Sequence, residues 1–235
     1  MASASTGAGI GDMLAGMDAN TSNVIVEGLI SYLGLVVLLT FHEFGHAWTA
    51  SKCGDDTARL LGRVSLNPLV HIDPVGTVLI PLLMIFLSPD ISRFMIGWAR
   101  PVPVNVYNLR NPRRDDILVS MAGPAMNLVL AVALVALARI GLIAGWSEVA
   151  SLCWRFASLS LLLCFFNLLP IPPLDGSHVL RNLTNMSWET YANIARFGFI
   201  LVILVIQIPP VREVLGLAQG MTLLGLAGVF GIPLQ

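Results

Sequence analysis

Residues 29–46 read Leu29-Ile-Ser-Tyr-Leu-Gly-Leu-Val-Val-Leu-Leu-Thr-Phe-His-Glu-Phe-Gly-His46, and this stretch decides the fold. The run up to Thr40 has the composition of a membrane helix, and the five residues after Phe41 form an HExxH pattern. On a helix His42 and His46 lie one turn apart on the same face, so both imidazoles can converge on one metal ion with Glu43 beside them. Surface histidines and a surface glutamate are the plain alternative, because so short a pattern recurs by chance. The apolar flank argues against it, since ionisable groups inside such a segment are costly and are kept for function.

Working outward, the whole chain shares this character. Of 235 residues, 56% are hydrophobic and 11% charged, against about 25% charged in an average soluble domain. A mean hydropathy of +0.80 would leave a soluble fold exposing far too much apolar surface. The expected fold class is an all-α integral membrane protein, a polytopic bundle of about 4–6 membrane segments with a re-entrant hairpin and a short membrane-associated β element. The bilayer is the expected surroundings, with no nucleic-acid partner. The three cysteines, Cys53, Cys153 and Cys164, have no CxxC spacing and are read as small hydrophobes rather than ligands or disulfide partners.

Residues 1–23 are rich in Ala, Ser and Gly without Lys or Arg. They lack the basic region of a signal peptide and are expected to be a flexible tail. The core is expected over 24–208. Segment A spans Val24 to Cys53. Segment B, Val75 to Trp98, is broken at Ser88-Pro89-Asp90, and residues 101–107 alternate Val with other types, as an edge strand that tolerates two prolines would. Segment C spans Asp115 to Ile143 and segment D Val149 to Leu169. Prolines break the chain over Asn167-Leu-Leu-Pro-Ile-Pro-Pro-Leu-Asp-Gly176, with helix resuming after Gly176. Segment F covers Ile194 to Ile208, and residues 209–235 form an apolar span or interfacial helix.

Two histidines leave a catalytic zinc short of a protein ligand, because such sites use three plus an open position. Asp175 is the leading candidate, as a carboxylate turned inward by the proline break; a helix N-cap is its bland alternative. His178, three residues on, is a second candidate. His71 reads as a loop hydrogen-bonder and Glu27 as an interfacial carboxylate.

With these motifs in view, the chain resembles the site-2 protease family of intramembrane zinc metalloproteases. The resemblance rests on His42-Glu-Phe-Gly-His46, on Gly123-Pro124 with Asn127, and on Asn167 through Gly176 as NxxPxPxLDG; it covers about Val24 to Leu183. It implies that His42, His46 and Asp175 ligate one Zn²⁺ per chain and that Glu43 activates water. It further implies that Asn167 positions substrate or stabilises the oxyanion, and that Gly123, Pro124 and Asn127 belong to a core helix beside the site. The stretches 54–68 and 97–113 resemble the compact prokaryotic branch, with no PDZ or CBS domain expected.

Eight of the thirteen basic residues (Lys52, Arg59, Arg63, Arg93, Arg100, Arg110, Arg113 and Arg114) lie between segments A and C. A single crossing by B would split them across the membrane. The arms 75–87 and 91–98 hold 13 and 8 residues, each short of the roughly 20 that a span needs. A re-entrant B puts all eight on the cytoplasmic side, as the positive-inside rule favours. His42 lies 18 residues beyond Val24, about 27 Å of helix, which places a metal within the bilayer toward the cytoplasmic face.

The expected function is zinc-dependent endopeptidase action in or near the transmembrane segment of a single-span membrane protein, in a prokaryotic inner membrane. A membrane-anchored protease for juxtamembrane or soluble segments is one rival. A metal transporter or metal-binding membrane protein is another, and it would not need Glu43.

Overall fold

The computed structural model describes residues 19–87 and 97–233. Long apolar stretches become long helices: α1 (Ala19–Lys52), α4 (Pro112–Ile143), α5 (Ser147–Asn167) and α9 (Pro209–Phe230). Between them lie α2 (Thr57–Leu60), α3 (Ile80–Leu87), α6 (Asp175–Thr184), α7 (Trp188–Ala195) and α8 (Gly198–Ile206). Among the described residues four helices are long and apolar enough to cross a membrane, or five spans if the bent pair α7–α8 counts as one. Large apolar side chains such as Val129, Leu137, Ile140, Phe199, Leu204 and Val229 stand exposed. In water that surface would be untenable; in hydrocarbon it is the matching one. The protein is an all-α integral membrane protein.

The chain divides into two compact units, Met1–Val36 with Ile72–Ala99 and Val37–His71 with Arg100–Gln235. In the first, Asp73 accepts hydrogen bonds from the Val75 and Gly76 N–H groups and starts a π-helical turn, Pro74–Leu79, that continues into α3. Trp98 returns to this start: its N–H donates to the Gly76 carbonyl at 3.2 Å, and the Thr77 hydroxyl donates to the Trp98 carbonyl at 2.7 Å. A side chain at Gly76 would overlap the Trp98 indole, its Cβ 2.2 Å from the ring. Residues 76 and 98, near the two ends of segment B, therefore meet. The turn expected at Ser88-Pro89-Asp90 lies outside the described residues.

The second unit is organised by α4. Its buried residues Asp116, Ser120, Gly123, Asn127, Ala131, Val135 and Ala138 recur every three or four positions and make one continuous stripe. The end of α1 packs there through Gly45, where a Cβ would stand 2.8 Å from the Ala122 carbonyl. Helix α9 is tied to α5 by Gln219, whose Nε2 donates to the Ser158 carbonyl and hydroxyl, each at 2.9 Å. Cys53 packs with Ala50, Leu109 and Val119, and all three cysteines are free.

Two expectations need correction, and a third is refined. No strand forms over 101–107: among the described residues 101–105 have no ladder partner, and Val106–Asn108 are a 3₁₀ turn. Segment F, expected to cross the bilayer with its flanks, falls on α8 and the end of α7, which meet at a 64° bend and count as a span when taken as one bent pair. Gly198 sits at that corner, where a Cβ would come within 2.4 Å of the Pro172 carbonyl, so the turn is packed against the proline loop. Helix resumes at Asp175, a residue earlier than expected, with Leu174 as N-cap.

Candidate active site

Helix α1 presents His42 and His46 on one face, and α6 begins with Asp175 facing them. His42 Nε2 lies 3.2 Å from Asp175 Oδ2, His46 Nε2 lies 3.3 Å from Asp175 Oδ1, and the two Nε2 atoms are 3.0 Å apart. Four-coordinate zinc with bonds of about 2.0–2.1 Å has ligand-to-ligand edges of about 3.3 Å; the distances here, which run to both oxygens of Asp175, are of that order, and one ligand atom from each residue lies within 4.8 Å of the others. Asp175 Oδ2 is buried without a hydrogen-bond partner, a condition costly for a carboxylate oxygen unless a cation satisfies it. No side-chain cap is formed at the start of α6, and the carboxylate points at the imidazoles.

A second layer fixes the ring orientations, and α4 supplies it. His46 Nδ1 donates to the Val119 carbonyl at 2.7 Å, which turns Nε2 toward the site. The Asn127 amide lies 3.1 Å from His42 Nδ1. For His42 Nε2 to act as a ligand, Nδ1 must carry the proton, and the amide then turns its oxygen toward the ring. Asn127 is itself held by its carbonyl, which accepts from the Ser160 hydroxyl of α5 at 2.7 Å. Gly123 makes room between these anchors, for a Cβ there would sit 2.3 Å from His46 Nε2 and 2.6 Å from His42 Nε2. Gly176 does the same behind Asp175, where a Cβ would meet the Leu168 carbonyl at 2.1 Å.

Glu43 is buried, and among the described residues it is bound through one oxygen: the Val102 N–H donates to its Oε2 at 2.9 Å. Val102 is held in turn from the loop after α2. The buried Arg63 guanidinium donates to the carbonyls of Arg100 and, at 3.3 Å, Pro101. Burial pushes the Arg63 guanidinium down from its usual value, and the Glu43 charge pulls it back up. Asp55 anchors the far end of the same segment, accepting from the Asn105 N–H at 2.7 Å and the Asn108 amide at 3.0 Å. Burial alone would raise the Asp55 carboxyl, but the bonds from Thr57, Asn105 and Asn108 hold it below the usual carboxylate range.

Comparison with known proteins fits this arrangement. The profile described as "Peptidase family M50" matches residues 30–144 and 139–205, most of the chain. The chain belongs to peptidase family M50, the site-2 protease family. It is 40% identical over 184 residues to "Putative zinc metalloprotease YwhC" of Bacillus subtilis, covering 75% of this chain and 78% of that one. It is 33% identical over 197 residues to "Putative zinc metalloprotease Rip2" of Mycolicibacterium smegmatis, covering 78% and 72%. No solved structure matches. This M50 member is a zinc metalloprotease built on membrane helices.

The M50 fold thus brings His42, His46, Asp175 and Glu43 to one place and leaves other residues elsewhere. Asn167 Nδ2 donates to the Leu163 carbonyl of its own helix at 2.9 Å. His178 turns away from the histidine pair, to Asp116 at 3.1 Å. His71 donates from Nε2 to the Ser65 carbonyl at 2.8 Å, as a loop hydrogen-bonder does. Sequence reasoning missed Val102, Arg63, Ser160 and Asp116. Val102 acts through its backbone, which no motif reveals, whereas the Arg100-Pro101 approach to Arg63 joins residues 37 or more positions apart. A buried serine opposite Asn127 had no signal of its own.

Proposed function

We propose that this M50 protease hydrolyses a peptide bond in or near the transmembrane segment of single-span membrane proteins, with one zinc ion per chain held by His42, His46 and Asp175. One observation carries the reading: two buried histidines and a half-buried aspartate within reach of one ion, with the buried Glu43 carboxylate beside them, the histidines and Glu43 on a helix of membrane-spanning length. When bound, zinc supplies Lewis acidity at that point, acidifying a water and polarising the scissile carbonyl. Glu43 takes the water's proton on the oxygen that Val102 leaves open and delivers it to the leaving amine. Val119 and Asn127 hold the outer nitrogens of His46 and His42 and so keep the inner nitrogens facing the site. Asn167 donates its remaining amide hydrogen to the substrate backbone.

A helical substrate hides its amides, so it must unwind to react. The extended segment 101–105, anchored by Arg63 and Asp55 beside Glu43, is the surface on which the unwound chain pairs. The meeting of Gly76 and Trp98 supports a re-entrant segment B, with 54–70 and 99–114 together on the cytoplasmic side of a prokaryotic inner membrane. The test is metal analysis of purified protein together with cleavage of a panel of single-span peptides, with products sequenced. One zinc per chain and cuts within or beside the apolar span are expected. Cuts confined to distant soluble regions, or wild-type zinc content in Asp175→Ala, would overturn the proposal.

A further inference from the structure

Beyond the ligands and their immediate anchors, the second unit holds a buried cluster of charge centred on Asp116. Asp116, 2% exposed, lies near the start of α4 and receives three donors from α6. His178 Nδ1 stands 3.1 Å from its Oδ1, Arg181 Nη2 stands 3.0 Å from Oδ2, and Asn182 Nδ2 donates to the same Oδ2. Positions 178, 181 and 182 are spaced i, i+3, i+4 and share one face of α6. Asp175 is on that face too, one turn before His178. The cluster is closed by aromatic rings: the Arg181 guanidinium lies 3.8 Å from the Trp188 ring centre, and His178 packs edge-on to Tyr191. Tyr191 in turn bonds Ser177 at 3.0 Å.

The position of Asp116 along α4 gives this cluster its meaning. Asp116, Val119, Gly123 and Asn127 succeed one another at helical spacing on the buried stripe. Val119 orients His46, Asn127 orients His42, and Gly123 admits both rings. Asp175 alone has no such anchor of its own on α4. We propose that Asp116 is the positioning residue for the third zinc ligand: it grips α6 at three points and so fixes the height and rotation of Asp175 against His42 and His46. One helix then sets all three ligands, two directly and the third through the helix that carries it. A buried carboxylate with three donors to one neighbouring helix is a costly arrangement to assemble and a specific one once made. A ten-residue helix following a proline loop needs such a fixed point, because its entry is set only by the chain before it.

The proposal rests on His42, His46 and Asp175 holding zinc, and the experiment separates the two. Zinc dissociation constants are measured by competition with a chromophoric chelator on the full-length protein in detergent, alongside melting temperatures. Asp116→Asn keeps the shape but loses the charge that His178 and Arg181 face, and zinc should bind about 10- to 100-fold more weakly, the usual effect of removing a group that orients a ligand. Asn182→Leu, a milder change that keeps Asp116, should weaken zinc by at least about threefold and decides the matter if Asp116→Asn does not fold. Gln219→Leu, which cuts the α9–α5 tie, serves as a control for destabilisation alone and should leave zinc affinity within that limit. If Asp175→Ala weakens zinc while Asp116→Asn, or Asn182→Leu in its place, stays within threefold of wild type, positioning by Asp116 is refuted and the ligand set stands. Wild-type affinity in Asp175→Ala refutes the ligand set itself.

Discussion

Alanine at Gly123 is the sharpest test of how the histidines are held. In an ordinary helix Gly→Ala stabilises by roughly 0.5–1 kcal/mol, through the chain entropy that glycine must lose on folding. Here the new Cβ would stand 2.3 Å from His46 Nε2 and 2.6 Å from His42 Nε2, whereas ordinary contact begins at 3.4 Å. Something must move by roughly 1 Å. The rings cannot swing freely, because Val119 and Asn127 hold their outer nitrogens. Either those bonds break, at about 1–3 kcal/mol for each buried group left unpaired, or α1 and α4 part, at the similar cost of an overpacked core. Gly45, pressed on the Ala122 carbonyl, makes the second route slow to yield.

A net loss of about 3 kcal/mol would correspond to more than a hundredfold in rate. Misplacement of a reacting group by 1 Å has an effect of similar size, on the order of 10²-fold. Gly123→Ala should therefore cut kcat/KM at least about a hundredfold and lower zinc content, with circular dichroism showing the helices retained. The assay is cleavage of a single-span peptide by purified protein, with zinc measured on the same sample. Full zinc occupancy and cleavage close to wild type would show that the rings do not lie against α4, and the orientation argument would fall with them.

Other perturbations address other parts of the site. Glu43→Gln should abolish cleavage while zinc and melting temperature stay at wild-type values; activity within about tenfold of wild type, or ~1.4 kcal/mol in barrier, would exclude a proton-transferring role. Asn167→Ala should lower kcat/KM by about 2.7–4 kcal/mol, the scale for one donor near the reacting carbonyl, with zinc unchanged; zinc loss would move Asn167 into the metal shell. Cysteines placed at the exposed Leu60 and Tyr107, with the native three replaced, should label from the same face in sealed vesicles; opposite faces would mean that segment B crosses. Asp55→Asn should cost about 2 kcal/mol at neutral pH, by setting an amide donor against the Asn105 N–H. Because the folded Asp55 carboxyl lies below its usual value, its contribution is complete above about pH 4 and is lost as pH falls through the folded value; thermal melts from pH 7 down to 3 should show this slope in wild type and not in the variant.

What was legible in the sequence was what helix geometry and hydrophobic length decide locally. HExxH places two histidines on one face wherever helix forms, and α4 and α5 begin within three residues of the expected starts at Asp115 and Val149. The bend at Gly198 was not legible, because it answers to a carbonyl at Pro172 that becomes its neighbour only after folding. Asp116 was hidden differently. A carboxylate in the first turns of a helix already has a local reason to be there, favourable interaction with the helix dipole, so nothing in the sequence asked for partners on another helix. Arg63 was counted for its charge and the side of the membrane it marks, while its structural part is to donate to two backbone carbonyls.

The missing strand at 101–107 follows from the same prolines that suggested an edge. In extended chain the N–H and C=O of one residue point to one side and those of the next residue to the other. This segment is tied to its own protein at several points: the Arg100 and Pro101 carbonyls face Arg63, the Val102 N–H faces Glu43 and the Asn105 N–H faces Asp55. Pro101 and Pro103 have no N–H to offer there, so nothing is left unpaired by their placement. Of the backbone polar groups of Val102 and Val104 only the Val102 N–H is bonded among the described residues, to Glu43. The Val102 carbonyl and both backbone groups of Val104 remain for another chain. A ladder needs two strands, and this protein brings one. On the proposed reading, a substrate that pairs with the free Val102 and Val104 groups would have its backbone laid beside Glu43, so that its pairing and its cleavage would become one requirement.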